Sequence, residues 1–128
     1  MNLNSDSTKP IYVQIAEWIE NEILADKFKS DEKVYSQYQL ADLFNINPAT
    51  AAKGLTILVE ETILYKRRGL GMFVTPEAKM MILEKRRNDT LTRMAMELVL
   101  EARRLQVTEG ELIQLIKQQN KNCEETQP

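Results

Sequence analysis

The chain has 128 residues, 43% of them hydrophobic, enough to bury one compact core with room for a short appendage. Its 17 basic and 19 acidic residues leave a net charge of −2, so no global positive field draws in a nucleic acid, and any such binding must come from a local patch. There is no histidine, and the single cysteine, Cys123, lies in the polar stretch NKNCEETQP. That excludes an intrachain disulfide and removes the commonest metal ligands. Carboxylates scattered over helix surfaces do not make an active site, and no glycine-rich string follows a strand and opens a helix. An enzyme is therefore the least expected class, with no cofactor and no metal. No apolar run approaches the ~20 residues that span a bilayer, and MNLNSDSTKP lacks the basic and apolar parts of a secretory signal. The expected setting is the cytoplasm, with no membrane partner and a free thiol at Cys123.

In chain order, PIYVQIAEWIENEILAD (10–26) places Ile11, Ile15, Trp18, Ile19 and Ile23 at helical spacing, with Pro10 suited to a first turn. In KVYSQYQLADLF, Ser36 and Gln39 have the spacing of a capping box ahead of the apolar stripe Leu40, Leu43 and Phe44. A short second helix starts just after Ser36. NPATAAKGLTILVEE then offers Asn47 as N-cap, Pro48 at the first helical position and an inward row of Ala51, Leu55, Leu58 and Val59. That makes a third helix, in which Gly54 is expected to cost about 1 kcal/mol relative to alanine. ILYKRRGLGMFV reads as a hairpin with its tip at Arg68, Gly69, Leu70 and Gly71. Three helices followed by a hairpin specify a winged helix-turn-helix over residues 1–75, a mainly α (α+β) fold. Such a module lays its third helix in the major groove and reaches with its hairpin along the backbone or into the minor groove.

Beyond VTPE the composition turns helical. The pattern predicts a long helix from a Thr75 cap to about Leu105, with Leu91, Met94, Ala95, Leu98, Ala102 and Leu105 on one stripe. Thr108 and Glu111 open a last short helix carrying Leu112, Ile113, Leu115 and Ile116, followed by a polar tail. Two apolar helices beyond a complete small domain need a partner, and a second copy of the same pair is the simplest one. Residues 76–128 thus read as a dimerisation region, with Leu91, Met94, Leu98, Ala102, Leu105, Leu112 and Ile116 at the interface.

Taken together, PIYVQIAEWIENEIL, SQYQLADLF, INPATAAKGLTILVEE and YKRRGLGMFV resemble the DNA-binding domain of the GntR family of bacterial transcription regulators. The N-P-x-T string at Asn47–Thr50 and the short tail resemble the YtrA-type subfamily. The resemblance implies a homodimer on a twofold operator, usually a repressor, often beside genes for transporters or cell-envelope functions. Larger relatives carry a ligand-binding domain after the wing; here the tail is too short for one, and an effector is not identified.

The chain also departs from the family pattern. A P-S-x-R-x-L-A string, whose arginine contacts DNA, is replaced by YSQYQLA, with Tyr38 at the arginine and Tyr35 at the proline. Pro48, Ala49 and Ala52 stand where many relatives carry polar or basic side chains. What remains to hold a duplex is mostly backbone contact. Lys66, Arg67 and Arg68, with Gly69 and Gly71 at the wing, are placed to meet phosphates or enter a narrow minor groove. Helix N-terminal amides near Ser36 and Asn47 are candidate phosphate ligands. Thr50 and Lys53 remain on the third helix, and Gln37 and Tyr38 offer amide and hydroxyl contacts. From Asn45 to Thr75 the four basic residues Lys53, Lys66, Arg67 and Arg68 face two acidic ones, Glu60 and Glu61, a local balance of +2. Two readings follow: a dimeric, sequence-specific regulator, or a winged-helix protein with a weakened DNA face that acts through protein contacts or mixed dimers.

Overall fold

The computed structural model describes Leu3 and residues 8–126. Helix α1 spans Ile11–Leu24, α2 Gln37–Phe44 and α3 Pro48–Glu60. Strands β1 (Leu64–Arg67) and β2 (Gly71–Val74) follow, and then α4 (Ala78–Lys85). A π-helical stretch, Arg86–Leu91, leads into α5 (Thr92–Arg104) and α6 (Glu109–Thr126). The mainly helical, winged helix-turn-helix class expected from the sequence is what the chain adopts.

Local chemistry accounts for these boundaries. Ser36 Oγ accepts from the Gln39 amide at 3.1 Å while Gln39 Oε1 accepts from the Ser36 amide at 2.8 Å, a complete capping box at the start of α2. Helix α2 stops at Asn45, whose φ of 55° is a left-handed conformation that asparagine tolerates. Asn47 then caps α3, its Oδ1 accepting from the Ala49 amide at 2.8 Å. In the wing the strands pair antiparallel from Leu64↔Val74 to Arg67↔Gly71, which leaves Arg68, Gly69 and Leu70 as the loop. The Leu70 amide donates to the Arg67 carbonyl at 2.9 Å, with Gly69 at φ 78° where a turn of this type needs a positive value. Residues 31–34 form a strap along the free side of β2. The Asp31 and Val34 amides donate to the Val74 and Met72 carbonyls, and Lys33 pairs with Phe73.

The core of this first unit joins Ile15, Ile19 and Ile23 of α1, Leu40 of α2, and Ala51, Leu55 and Leu58 of α3. Val34, Ile63, Leu64 and Val74 complete it from the strap and wing. Gly54 is buried at the α1–α3 crossing. A Cβ there would lie 2.8 Å from the Tyr12 carbonyl oxygen and 3.0 Å from Ile15 Cγ2. The expectation that Gly54 merely weakens α3 is therefore corrected: the missing side chain is what lets the two helices approach.

The region after the wing also differs from expectation. The helix expected from Thr75 to about Leu105 begins instead at Ala78; the chain is helical at every position from there to Arg104, but a π-helical stretch, Arg86–Leu91, lies between α4 and α5. Ala78 and Ile82 are fully buried in the first core, so that compact unit runs to Lys85 rather than ending at residue 75. The second unit begins at Arg86. Within it, α5 ends in a Schellman arrangement, with Gln106 at φ 58°, the Val107 amide on the Ala102 carbonyl and the Gln106 amide on that of Arg103. Thr108 and Glu111 form the expected capping box, and the Thr108 amide, then its hydroxyl, donating to the Glu111 carboxylate hold that group below the usual carboxylate range. The last helix is not short: α6 runs through the expected polar tail to Thr126 and carries Cys123 exposed.

One polar cluster joins three helices of the first unit. Glu20 of α1, only 2% exposed, accepts a hydrogen bond from Lys85 Nζ at the end of α4, and the same ammonium reaches Glu61 at the end of α3 at 3.1 Å. Burial alone would push the lysine's pKa down, but the bonds and charges of Glu20 and then Glu61 outweigh it and raise the value. The cluster's contribution is therefore complete below the ordinary lysine pKa and is lost as pH rises through the raised one. Lys85→Ala should destabilise the first unit by about 2 kcal/mol, below the ~3–5 kcal/mol of a fully buried pair because Lys85 is partly exposed. Adding Glu20→Gln should recover part of that loss, read by chemical denaturation at neutral pH; equal stability of Lys85→Ala and the parent would show that the cluster holds nothing.

Candidate nucleic-acid interface

The candidate residues lie on three surfaces. At the start of α2, Ser36 is held by its capping box, Gln37 is half-buried, and Tyr38 is 66% exposed. Gln37 and Tyr38 occupy the first two positions of the helix, so their amides have no intrahelical acceptor. Tyr35, where the family has proline, stacks on Trp18 with centroids 6.0 Å apart and meets the Phe28 ring edge-on at 5.3 Å. Trp18 in turn meets Phe44 edge-on at 5.0 Å. Tyr35 is thus part of an aromatic row that fastens α1 to both ends of α2, a packing role that its replacement of proline did not suggest.

On α3, Ala49 is exposed and Thr50 half-buried at the first turn. The amides there are already used: Pro48 has none, that of Ala49 is bonded to Asn47 Oδ1, and those of Thr50 and Ala51 go to the Asn47 carbonyl. The expectation that amides near Asn47 seat a phosphate is corrected for α3, because the cap that starts the helix consumes them. The open amides are those of α2. Lys53 is exposed, with its ammonium 4.1 Å from the centroid of the Tyr12 ring of α1. That cation–π contact holds a charge beside the helix start and leaves its outer side in water.

The wing presents Lys66, Arg67 and Arg68, all exposed, and none has a carboxylate partner among the described residues. Arg67 lies over the Phe73 ring at 5.4 Å, so its guanidinium is directed along the strand surface. Of the two acidic residues expected to offset these cations, Glu61 is engaged by Lys85. The local positive balance at the wing is therefore stronger than a residue count indicates. Between the wing and the start of α2 runs an open groove of about 350 Å³, bordered by Ser36, Gln37, Tyr38, Lys66, Gly69 and Gly71 together with Lys33. Asn47, Ala49, Thr50, Lys53, Arg67 and Arg68 do not line it. Sequence reasoning does not reach Lys33, because the wing is a two-stranded hairpin and Lys33 joins it only through a single bridge to Phe73 from the strap before α2.

Helix α2, the tight Asn45–Asn47 turn, helix α3 and a basic hairpin define a winged helix-turn-helix protein, a class that includes many DNA-binding regulators. No protein-family model matches the chain. The chain is 30% identical over 118 residues to the HTH-type transcriptional regulator YhcF of Bacillus subtilis, covering 91% of this chain and 95% of that one. A GntR family transcriptional regulator from Listeria monocytogenes has a solved structure that superposes with a TM-score of 0.71 at 30% identity, covering 88% of this chain and 97% of that one. This protein belongs to the GntR family of transcription regulators, on its YtrA-like side. The repressor NagR of B. subtilis is 36% identical over 75 residues, 59% of this chain, and the chain spans about a third of that relative's length (31%). The structure of AraR(DBD) in complex with operator ORE1 matches 57% of this chain and 89% of that one at 32% identity, with a TM-score of 0.52. Among the described residues no helix is long and apolar enough to cross a membrane, and no three His, Cys, Asp or Glu side chains are grouped to hold a metal.

Proposed function

We propose that this regulator is a homodimer that binds a twofold operator as a repressor, held on the duplex mainly by phosphate contacts from the wing. The observation that carries this reading is the set of three exposed cations, Lys66, Arg67 and Arg68, on the glycine-turned hairpin, none with a carboxylate partner among the described residues. The AraR–operator complex supports a DNA partner for the matching domain, and the relatives named as repressors support the sign of regulation. Base reading falls to the few polar groups at the helix starts, Gln37, Tyr38, Thr50 and Lys53, so sequence discrimination rests on few direct contacts and on duplex shape. A transporter or cell-envelope operon is the target class that the family resemblance suggests.

The second unit supplies the reason for a dimer. Leu91, Met94, Leu98 and Leu105 are 60%, 55%, 41% and 65% exposed, and Ile116 is 50% exposed. Ala102 and Leu112 are the exceptions, only 6% and 8% exposed. So much aliphatic surface left in water is unfavourable unless covered, and an obligate dimer interface of more than about 2,000 Å² would cover it.

Sedimentation of the full chain with duplex DNA from upstream of its own gene, and with a scrambled duplex of equal composition, tests both parts. Two chains per duplex and preferential binding of the upstream sequence at physiological salt are the expected result. Equal affinity for the two duplexes would favour the reading in which the DNA face is weakened and protein contacts dominate.

Tyr38→Arg tests how α2 docks. With the side chain already 66% exposed, the change should cost the fold only about 0.3 kcal/mol from a cation near a helix N-terminus. It should strengthen binding of the upstream duplex by roughly 1–3 kcal/mol, one good bidentate contact. A gain of the same size on scrambled DNA would contradict a specific docking of α2.

A further inference from the structure

The strap beside the wing carries a cation that the hairpin alone does not account for. Lys33 is exposed and pairs with Phe73, and Phe73 pairs with Tyr65 while Gly71 pairs with Arg67. Directly paired residues share a sheet face, as do alternate residues along a strand, so Lys33 of the strap, bridged to Phe73, lies on the same face as Gly71, Phe73 and Arg67 of the two-stranded wing. The Lys33 side chain follows β2 toward the tip. The point a Gly71 Cβ would occupy lies 2.8 Å from Lys33 Cε and 3.6 Å from Nζ, so the ammonium stands over the bare backbone of Gly71. Arg67 approaches the same ground from β1, its guanidinium over Phe73 at 5.4 Å.

Neither cation is neutralised: no carboxylate lies within 4.0 Å of Lys33 or Arg67 among the described residues. Asp31, which alternation along the strap puts on the same face, accepts a hydrogen bond from the Tyr65 hydroxyl at 2.7 Å, toward the Val74 end of β2. Two like charges on one face repel, and an anion placed between them converts that repulsion into attraction. Lys33 also borders, with Lys66, the groove between the wing and α2, and no acidic residue lines that groove.

We propose that Lys33 is a further DNA-backbone contact, forming with Arg67 a seat for one phosphate beside Gly71; this rests on the DNA-binding reading above. The occupant is a duplex phosphate because the seat is continuous with Arg68 and the wing tip, which meet the same backbone. Gly71 is then required twice, for its φ of 116° and because any side chain would push Lys33 out of the seat.

The test is the salt dependence of binding by the full chain to the upstream duplex and to its scrambled counterpart. Lys33→Ala should reduce the slope of log K against log salt by about 0.9, one phosphate neutralised, equally on both duplexes and with an unchanged melting temperature. Lys33→Arg should keep the parent slope. A parent slope in Lys33→Ala, or a loss confined to one sequence, overturns the assignment while leaving the DNA reading intact. A parent chain that binds neither duplex overturns the DNA reading and the Lys33 contact with it.

Discussion

Gly54 sits in the contact between α1 and α3, its α-carbon facing the Tyr12 carbonyl and the Ile15 side chain with no room for a methyl group. Much of the rest depends on that approach. It buries Ile15, Ile19, Ala51, Leu55 and Leu58 in one layer, and it brings the Tyr12 ring under Lys53. It also fixes where the first turn of α3 stands relative to the elements that pack on the same core. A residue that is poor for an isolated helix is thus favourable in this one, because tertiary packing outweighs intrinsic propensity.

Charge around this scaffold falls into two groups, one paired within the fold and one facing solvent at the wing. Acidic residues near the core ends are consumed internally: Glu20 and Glu61 by Lys85, Asp26 by Lys79, Asp31 by Tyr65. The wing cations have no carboxylate partner among the described residues. A chain with a net charge of −2 can in this way present a positive edge without any global excess of lysine and arginine. Beside Tyr38, where the family carries an arginine, Lys33 and Lys66 border the same groove from the wing side.

Much of the fold was legible because local chemistry and the global arrangement agree. The Ser36 capping box, the Asn47–Pro48 helix start, the glycine-flanked basic turn and the Thr108 capping box each mark a boundary that the structure keeps. What stayed hidden depends on tertiary contacts. Apolar residues at helical spacing stand on both sides of the polar stretch EKRRNDT (84–90), and nothing in that pattern reveals that Ala78 and Ile82 belong to the first core or that the chain turns π-helical at Arg86. Tyr35 looked like a lost proline until its stacking on Trp18 was seen. Gly54 could have been found, since it shares the inward face with Ala51, Leu55 and Leu58, where a small residue signals close approach. The candidate site was legible in its residue types and only partly in its geometry: the wing cations are exposed, but the amides near Asn47 are spent on the cap.

The claim that the α1–α3 approach at Gly54 organises the domain is tested most directly by thermal unfolding of Gly54→Ala. Helix propensity alone would raise stability by about 1 kcal/mol. The contact with the Tyr12 carbonyl, a backbone group that cannot rotate away, should instead impose an overpacking penalty of about 1–3 kcal/mol and lower the melting temperature. A melting temperature at or above that of the parent would contradict the claim, because it would show that the two helices have room to spare.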